Sequence, residues 1–350
     1  MAKQITQRTL AGYTNTKINA HYFDDLINSM KNKPQQFIDR VLKPSYWKKE
    51  GVKEMKFDAI VGNPPYMEMD GGAQASARPI YQHFVSTAKA INPHYLSFIM
   101  PTRWYAGGKG LDDFRDEMLN DKHLEKLFDC VSPEDIFPNT NIRGGVCYFL
   151  RNDTYNNESE LPTVVTLEHG KEPVVSKRPL RIKDLDVFIR YSFSISILDK
   201  VFTNDVDTMD SCVSSRRPFG LDGNFIKTLN YHNTAEGLNA PVLCYGKAKS
   251  IGYVDEKIIN THTEWIKSWK VMTPYANNIG TELNDDNLNS FVAEPNSICT
   301  ETFILIGAEQ GLDEKQCINI TRYLESRFAR FMLSLAKTSQ HATSKTYRFV

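Results

Sequence analysis

The sequence lacks the marks of several large classes of protein. Its six cysteines are widely spread and include no Cys-x-x-Cys pair, which argues against a zinc ribbon or a disulfide scaffold and fits reduced thiols. No apolar run reaches membrane-spanning length, and no signal peptide opens the chain. The formal net charge is zero, so any nucleic-acid surface has to be a local patch. We therefore expect a cytoplasmic protein that has no membrane partner.

The most informative stretch that is present lies at residues 57–66, FDAIVGNPPY. Its first five residues are nearly all apolar, which predicts a parallel strand that is buried on both faces. Gly62 allows a tight exit, and the two prolines end the strand because proline lacks an N–H donor. Residues before prolines are held extended, so Asn63 and Pro64 are predicted to be stiff. Open α/β sheets place their chemistry in such loops, at the carboxyl ends of strands.

This loop offers two hydrogen-bond acceptors and one aromatic face. The Asn63 side-chain oxygen and the Pro64 carbonyl can together hold both hydrogens of one exocyclic amino group, and the Tyr66 ring can lie on a planar heterocycle. Two acceptors shift electron density back to the amino nitrogen and favour its attack on an electrophilic methyl group, helped by preorganised dipoles and alignment. The pattern therefore indicates a site for a conjugated primary amine such as the N6 of adenine.

Residues 58–66 resemble the catalytic loop of the Asn-Pro-Pro-Tyr (gamma-type) adenine-N6 DNA methyltransferases of restriction–modification systems. Later stretches resemble the same family in the same order: 97–104 (SFIMPTRW), 136–138 (IFP) with 144–150 (GGVCYFL), and 214–221 (SSRRPFGL). The resemblance implies a site-specific DNA methyltransferase that acts on a flipped adenine in double-stranded DNA. It assigns catalytic roles to Asn63, Pro64, Pro65 and Tyr66, and it implies that Tyr66 and Phe137 stack on the flipped base.

The family takes its methyl group from S-adenosylmethionine and binds that donor ahead of the tetrad. Such donors usually sit on a glycine-rich turn between a strand and a helix. Here only Gly12, Gly51 and Gly62 precede Asn63, and no such pattern is present. Either the chain is the carboxyl-terminal portion of a longer methyltransferase, or another chain supplies the donor-binding half. The resemblance thus implies S-adenosylmethionine as cofactor, while its binding half is not visible in this sequence.

Three parts are predicted along the chain. Residues 1–56 form a helical segment whose role the sequence does not define, 57–155 form an incomplete methyltransferase catalytic region, and 160–350 form a DNA target-recognition domain. The boundary between the second and third parts is placed at residues 151–160, where the sequence contains few apolar residues. The predicted fold class is α/β, with a partial Rossmann-like methyltransferase sheet followed by a mixed α+β domain. The predicted elements are strands at 57–61, 95–100, 124–130, 146–150, 163–167, 242–245 and 250–254, and helices at 22–30, 36–42, 79–90, 111–120 and 320–336.

Basic residues recur in the second half of the chain and favour DNA as the partner. Arg216 and Arg217 are adjacent, and the predicted helix 320–336 carries arginines on one flank. The polar stretch 338–345 suits phosphate and base-edge contacts. The predicted DNA-binding residues are Arg216, Arg217, Lys337, Gln340, His341 and Lys345. The acidic residues of 111–120 are interpreted as solvated charges, and no metal site is predicted.

Other functions stay open at this point. The same tetrad occurs in protein-glutamine and RNA-guanine methyltransferases, because a planar amide or amino-purine meets the same geometric demand. A non-enzymatic alternative is a catalytically incomplete DNA-recognition fragment that needs a donor-binding partner half. No convincing Asp…Glu-x-Lys cluster marks a nuclease in this chain, and a nuclease elsewhere in a longer polypeptide or in a separate chain stays open.

Overall fold

The computed structural model of the protein describes residues 21–68, 77–140, 142, 144–183, 185–202, 207–279, 287–337 and 341–350. The chain divides into two compact units, of which the first contains residues 1–132 and 146–180 and the second contains 133–145 and 181–350. Helices and a sheet with parallel strands make up the first unit, so the predicted α/β class is confirmed. Within the described residues, no helix is long and apolar enough to cross a membrane.

The first unit is built around one mixed sheet. Its strands are β1 (Ala59–Gly62), β2 (Met67–Glu68), β3 (Arg78–Pro79), β4 (Tyr95–Pro101), β5 (Leu124–Cys130), β6 (Val146–Asn152), β7 (Thr163–Leu167) and β8 (Val174–Lys177). Its helices are α1 (Leu26–Asn32), α2 (Pro34–Val41), α3 (Tyr81–Ile91) and α4 (Asp112–Leu119), with 3-10 turns at Pro44–Trp47 and Thr102–Tyr105. The six-stranded sheet has the order β1-β4-β6-β5-β7-β8, and β2 pairs with β3 apart from it.

β1 runs parallel to β4, as the sequence predicts, but it lies at the edge of the sheet. The prediction of a strand that is buried on both faces is therefore wrong. Its residues alternate between exposed and half-buried, and Val61 is 76% exposed. The physical reason is that, among the described residues, β1 has a strand partner on one side only. An apolar edge strand of this kind is a surface on which another strand can pair.

The segment 21–57 packs as part of the first unit. The Arg40 guanidinium lies over the rings of Phe37 and Tyr46, at 5.5 and 5.9 Å from their centroids. Trp47 donates its indole N–H to a backbone carbonyl and meets the ring of Phe57, edge to face, at 5.9 Å. Phe57 leads directly into β1. The aromatic cluster therefore attaches the start of the described chain to the strand that precedes the predicted catalytic loop.

Asp121 ties three parts of the first unit together through a buried charge network. Its carboxylate lies 2.7 Å from the Lys89 ammonium of α3 and 3.3 Å from Nε of Arg151 in β6. It also accepts the backbone N–H of His123 at 3.0 Å. Burial alone would raise the pKa of this carboxyl, but Lys89, the His123 amide and Arg151 together hold its pKa below the ordinary value. The charged form is therefore the one that the fold stabilises.

We predict that Asp121→Asn lowers the free energy of unfolding at neutral pH by up to about 3 kcal/mol, because it leaves the Arg151 guanidinium without its counter-charge and the Lys89 ammonium with Glu117 alone. A depressed folded-state pKa contributes stability above the unfolded-state pKa and loses it as the pH falls through the folded-state pKa. Urea unfolding of the wild-type protein should therefore lose stability below about pH 4, and Asp121→Asn should lose less there. Glu172→Gln, at an exposed position of the same unit, is the matched control, and an equal loss in both variants would contradict the assignment.

The second unit contains two small sheets. Its strands are β9 (Pro241–Tyr245), β10 (Ile251–Asp255), β11 (Lys270–Pro274), β12 (Phe291–Ala293), β13 (Ser297–Cys299) and β14 (Phe303–Ile306), in the orders β10-β9-β13 and β12-β11-β14. Its helices are α5 (Ser192–Val201), α6 (Glu314–Glu325) and α7 (Arg327–Ala336), with 3-10 turns at Pro133–Asp135, Met209–Cys212, Phe225–Lys227, Lys247–Lys249, Glu256–Ile258, Thr263–Lys267 and Ser344–Tyr347. Val242 and Cys244 of β9 share one buried cluster with Met272 of β11 and Leu305 of β14, so the two sheets share a core.

The prediction of one helix over 320–336 is wrong, because two helices meet at Ser326. That residue is extended, with ψ at 149°, and its hydroxyl accepts the backbone N–H of Ala329 at 3.1 Å. A serine in this role caps the start of a new helix and removes the need to continue the previous one. The break also rotates the expected apolar face, so Phe328 is 43% exposed while Leu324 and Leu335 are buried.

The strand at 163–167 belongs to the first unit rather than to the region beyond the predicted boundary. As β7 it pairs in parallel with β5, and β8 then pairs antiparallel with β7. Basic residues of this stretch are used within the unit: Lys171 and Lys177 each lie 2.7 Å from a glutamate oxygen, and Arg178 is buried. A run of short strands in the sequence does not say which sheet each one joins, so only the pairing located the division near residue 180.

Candidate functional site

The Asn-Pro-Pro-Tyr loop leaves the sheet at the carboxyl end of β1, beside the carboxyl half of β4. Gly62 lies opposite Phe98 in the register of these two strands. A Cβ built on Gly62 would lie 2.4 Å from the Phe98 ring, so only glycine fits there. The close approach of ring and backbone fixes the direction in which the chain leaves the strand. This is the loop position at which open α/β sheets bind ligands.

Within the loop, the tetrad alternates between exposed and covered residues. Asn63 and Pro65 are exposed, Pro64 is buried and Tyr66 is half-buried. Among the residues that the structure describes, none hydrogen-bonds to the Asn63 side chain or to the Pro64 carbonyl. The Tyr66 carbonyl accepts the backbone N–H of Ile80 at 3.1 Å, which closes the β2–β3 hairpin behind the loop. Two acceptors are thus available next to a ring that is anchored through its backbone.

A buried layer lies behind Tyr66. Burial, with a smaller contribution from the Cys147 thiol, raises the pKa of Tyr66 to about 12. Cys147 itself is fully buried and accepts the indole N–H of Trp104 at 3.3 Å. Trp104 is also fully buried, so it supports this side of the unit and does not face solvent. The Tyr66 phenol is therefore neutral at physiological pH and suited to stacking rather than to proton transfer.

Phe137, the second predicted stacking residue, lies in the second unit, whereas Tyr66 lies in the first. Phe137 is half-buried, and its backbone N–H donates to the Pro133 carbonyl at 2.8 Å in a short turn. The glycines that follow, Gly144 and Gly145, have φ angles of +89° and +100°. Such angles favour glycine and agree with the predicted sharp turn before β6. The pairing of Phe137 with Tyr66 around one base stays a prediction.

Three of the predicted DNA-binding residues come together at one end of the sheet β12-β11-β14, although His341 lies more than a hundred positions after Arg216 and Arg217. The Arg216 guanidinium carbon lies 5.0 Å from the centre of the Tyr275 ring, and that ring stacks on His341 at 4.8 Å with an angle of 20° between planes. Arg217 follows directly, and both arginines contact Glu301, at 2.9 and 2.7 Å. We call this group of five side chains the arginine cluster.

Two members of the arginine cluster are not indicated by any sequence pattern. Tyr275 directly follows β11, and its backbone N–H donates to the Thr302 carbonyl at 2.8 Å; Glu301 directly precedes that residue. A single tyrosine and a single glutamate form no recognisable motif, so only the pairing of the two strands shows that they lie near the arginines. Arg217 has φ at +61°, in the left-handed region. For a residue other than glycine this costs on the order of 1–3 kcal/mol.

Lys337 corrects one prediction. Its side chain is 4% exposed, and its ammonium donates to the carbonyl oxygens of Asn277 and Ile279 at 2.7 and 2.8 Å. An ammonium that donates to two buried carbonyls stabilises the fold and does not reach a phosphate. Gln340 lies outside the described residues. Lys345 is exposed at the 3-10 turn near the end of the chain.

We expect Lys337→Ala to destabilise the protein by about 1.5–3 kcal/mol, because a charged donor to two buried carbonyls is lost. We expect the dependence of DNA affinity on salt to stay unchanged, since this ammonium is not available to phosphates. Thermal unfolding and a salt titration of DNA binding measure the two effects. Lys345→Ala removes the same charge from an exposed position and should leave stability nearly unchanged. A reduced salt slope in Lys337→Ala alone would contradict this interpretation.

One family model, two curated relatives and several solved structures are similar to parts of this chain. Residues 1–137 match the family model described as Eco57I restriction-modification methylase. That span includes β1, the Asn-Pro-Pro-Tyr loop and the strands β4 and β5. The resemblance to a restriction–modification methyltransferase is therefore confirmed at this level, while the tetrad subtype and the individual site residues stay predictions.

Two curated relatives are similar to parts of the chain. One, called an uncharacterized adenine-specific methylase of Mycoplasma pneumoniae, is 30% identical over 154 residues, which is 43% of this chain and 36% of the relative. The other, a putative type II restriction enzyme and methyltransferase of Methanocaldococcus jannaschii, is 31% identical over 122 residues, or 31% of this chain and 10% of the relative. The matched region thus spans about a third of the first relative and a tenth of the second.

Among solved structures, the type IIL restriction-modification enzyme MmeI in complex with DNA matches 99% of this chain and 51% of its own, with a TM-score of 0.49 and 9% identity.

The glycines that precede Asn63 in the described part of the chain lie outside any turn between a strand and a helix. Gly51 has φ at +77° but precedes no helix, and Gly62 packs against Phe98. No glycine turn joins a parallel strand to a helix ahead of Asn63 in the described part of the chain.

Proposed function

We propose that the chain carries the methyl-acceptor loop and the recognition region of a site-specific DNA adenine-N6 methyltransferase of a restriction–modification system. The single observation that carries the proposal is the Asn-Pro-Pro-Tyr loop at the carboxyl end of β1. There an exposed Asn63 with no described hydrogen-bond partner adjoins a half-buried Tyr66. The family match over residues 1–137 supports the same interpretation.

In this proposal the chain's own residues bind and orient the adenine. The Asn63 side-chain oxygen and the Pro64 carbonyl accept the two N6 hydrogens, and this draws electron density onto the nitrogen. Pro64 is buried and its ring fixes φ, so the backbone that carries its carbonyl is restrained before the base arrives. S-adenosylmethionine, when bound, supplies the electrophilic methyl group. The adenine has to leave the duplex to reach this loop, which costs a few kcal/mol that stacking on Tyr66, and in the proposal on Phe137, offsets.

The edge position of β1 supports the proposal that the donor-binding half lies outside the described residues. β1 pairs with β4 on one side, and Val61 presents an apolar side chain to solvent. A strand from that half, in a longer polypeptide or in a separate chain, would complete the ladder and place the donor beside Asn63. The arginine cluster and Lys345 are proposed to contact duplex DNA, with phosphate contacts that position the protein and base contacts that specify the site.

We predict that Asn63→Ala lowers methylation by at least about 100-fold, as expected when one preorganised polar contact to the reacting group is lost. Tyr66→Ala should lose the stacking contribution, about 1–3 kcal/mol, whereas Tyr66→Phe should retain most of the activity because the phenol is neutral below about pH 12. The measurement is the N6-methyladenine content of DNA, by mass spectrometry, in cells that carry the complete locus with each variant.

DNA affinity provides the control for these variants and should stay within about 3-fold of wild type, since the loop contributes little to phosphate contacts. Unchanged methylation in Asn63→Ala would contradict the proposed catalytic role of this loop. Methylglutamine in protein, or methylguanine in RNA, in place of N6-methyladenine would identify the other substrate classes that share this tetrad.

The second candidate function is a DNA-recognition fragment without methyltransferase activity, and the absent glycine turn favours it. Titration calorimetry of the full chain with S-adenosylmethionine, beside a DNA-binding titration, separates the two. For the acceptor half of an enzyme we expect no donor binding by the chain alone and donor binding once the partner half is added. DNA binding without donor binding, even with that half present, would favour the fragment.

A further inference from the structure

One carboxylate in the second unit holds two arginines. Glu301 Oε2 lies 2.7 Å from Nε of Arg217 and 2.9 Å from Nη2 of Arg216. Its other oxygen, Oε1, accepts the backbone N–H of Gly223 at 3.0 Å. The Glu301 side chain is 19% exposed, whereas the two arginines are each 51% exposed. The three side chains carry a net charge of +1, and the positive groups form the outer layer.

The contact to Glu301 uses only the Nε side of the Arg217 guanidinium, and the Arg217 side chain is 51% exposed. Only its Nε donates to the carboxylate, and in the part of the chain that the structure describes its two terminal nitrogens have no hydrogen-bond partner. These nitrogens form the forked edge of the guanidinium, which makes two parallel hydrogen bonds with a matching pair of acceptors. In duplex DNA that pair is O6 and N7 of guanine, exposed in the major groove.

The neighbouring Arg216 is held differently. Its guanidinium lies over the Tyr275 ring, which in turn stacks on His341. A stacked guanidinium keeps its position but offers charge rather than a free fork, because Nη2 already contacts Glu301. Arg216 therefore suits a phosphate, where charge within reach is sufficient.

Whether Arg217 contacts a phosphate or a base edge depends on how firmly its guanidinium is held. A flexible arginine binds phosphates equally well, so binding charge alone requires neither the shared carboxylate nor the left-handed backbone at this residue. Orientation matters when two hydrogen bonds have to match one base edge. Surface ion pairs as such contribute little to stability, so stabilisation of the fold alone gives a weak account of this arrangement.

We infer that Arg217, oriented by Glu301, reads a guanine in the DNA sequence that this protein recognises. The inference rests on the proposed function, because it requires duplex DNA as the partner. It goes further in naming a base and the residue that reads it. Glu301 is a positioning residue in this account, and Arg216 with the Tyr275–His341 stack flanks it as a phosphate contact.

The experiment selects binding sequences from a random duplex DNA library with the full-length chain. The wild-type protein should select a sequence with guanine at one position. Arg217→Lys keeps the charge but not the fork, so that position should relax while the others persist, and affinity for the selected duplex should fall roughly 5- to 150-fold. Affinity for unrelated duplexes should stay the same.

Glu301→Gln and Arg322→Ala provide the discriminating arms. Glu301→Gln removes a negative charge, so a purely electrostatic role predicts tighter binding to all sequences, whereas base reading predicts loss of preference at the Arg217 position only. Arg322 is exposed on α6, and Arg322→Ala should leave the selected sequence unchanged even if binding weakens for every duplex. Thermal unfolding checks that all variants are folded.

Two results would overturn the inference. If Arg217→Lys selects the same sequence with the same guanine preference as wild type, Arg217 does not read a base, while DNA recognition by the chain stands. If the wild-type protein binds no duplex in the library, both the inference and the proposed DNA partner fail.

Discussion

The parallel ladder between β1 and β4 is the constraint on which the candidate site depends. It places Gly62 against the Phe98 ring and so directs the chain outward at Asn63. Two prolines then remove the freedom to turn back into the sheet. Because β1 has described partners on one side only, its position rests on β4 and on the aromatic cluster around Arg40 that precedes it. A loop held in this way has a defined backbone direction where it leaves the sheet.

The second unit holds positively charged side chains at defined positions, although the protein as a whole has no net charge. The antiparallel pairing of β11 with β14 brings the end of one strand beside the start of the other, so Tyr275 and Glu301 become neighbours. An aromatic stack and a shared carboxylate then restrict the two arginines. Lys171 is instead used in an ion pair and Lys337 in contacts to buried carbonyls, which explains why a count of basic residues overstates the binding surface.

Sequence patterns located most strands of the first unit because each is a short apolar run between clear breaks. They failed where the outcome depends on what lies beside an element. The apolar run before Gly62 reads as a central strand, yet its pairing makes it an edge. The helix expected over 320–336 carries a regular apolar period, but the Ser326 hydroxyl offers the backbone a competing hydrogen bond. The stretch at 163–167 reads as a strand in either case, and its partner decides which unit it joins.

By itself the sequence determined the local chemistry: a strand that leads to Asn-Pro-Pro-Tyr, the geometry that two prolines impose, and the absence of a glycine turn ahead of them. These features follow from covalent structure and short-range sterics, and both depend only on residues that are adjacent in the sequence. Only the tertiary structure decided that the Lys337 ammonium donates to buried carbonyls. It also decided that the five side chains of the arginine cluster lie together. Those outcomes arise from strand pairing between distant segments, and no local pattern encodes which segments will meet.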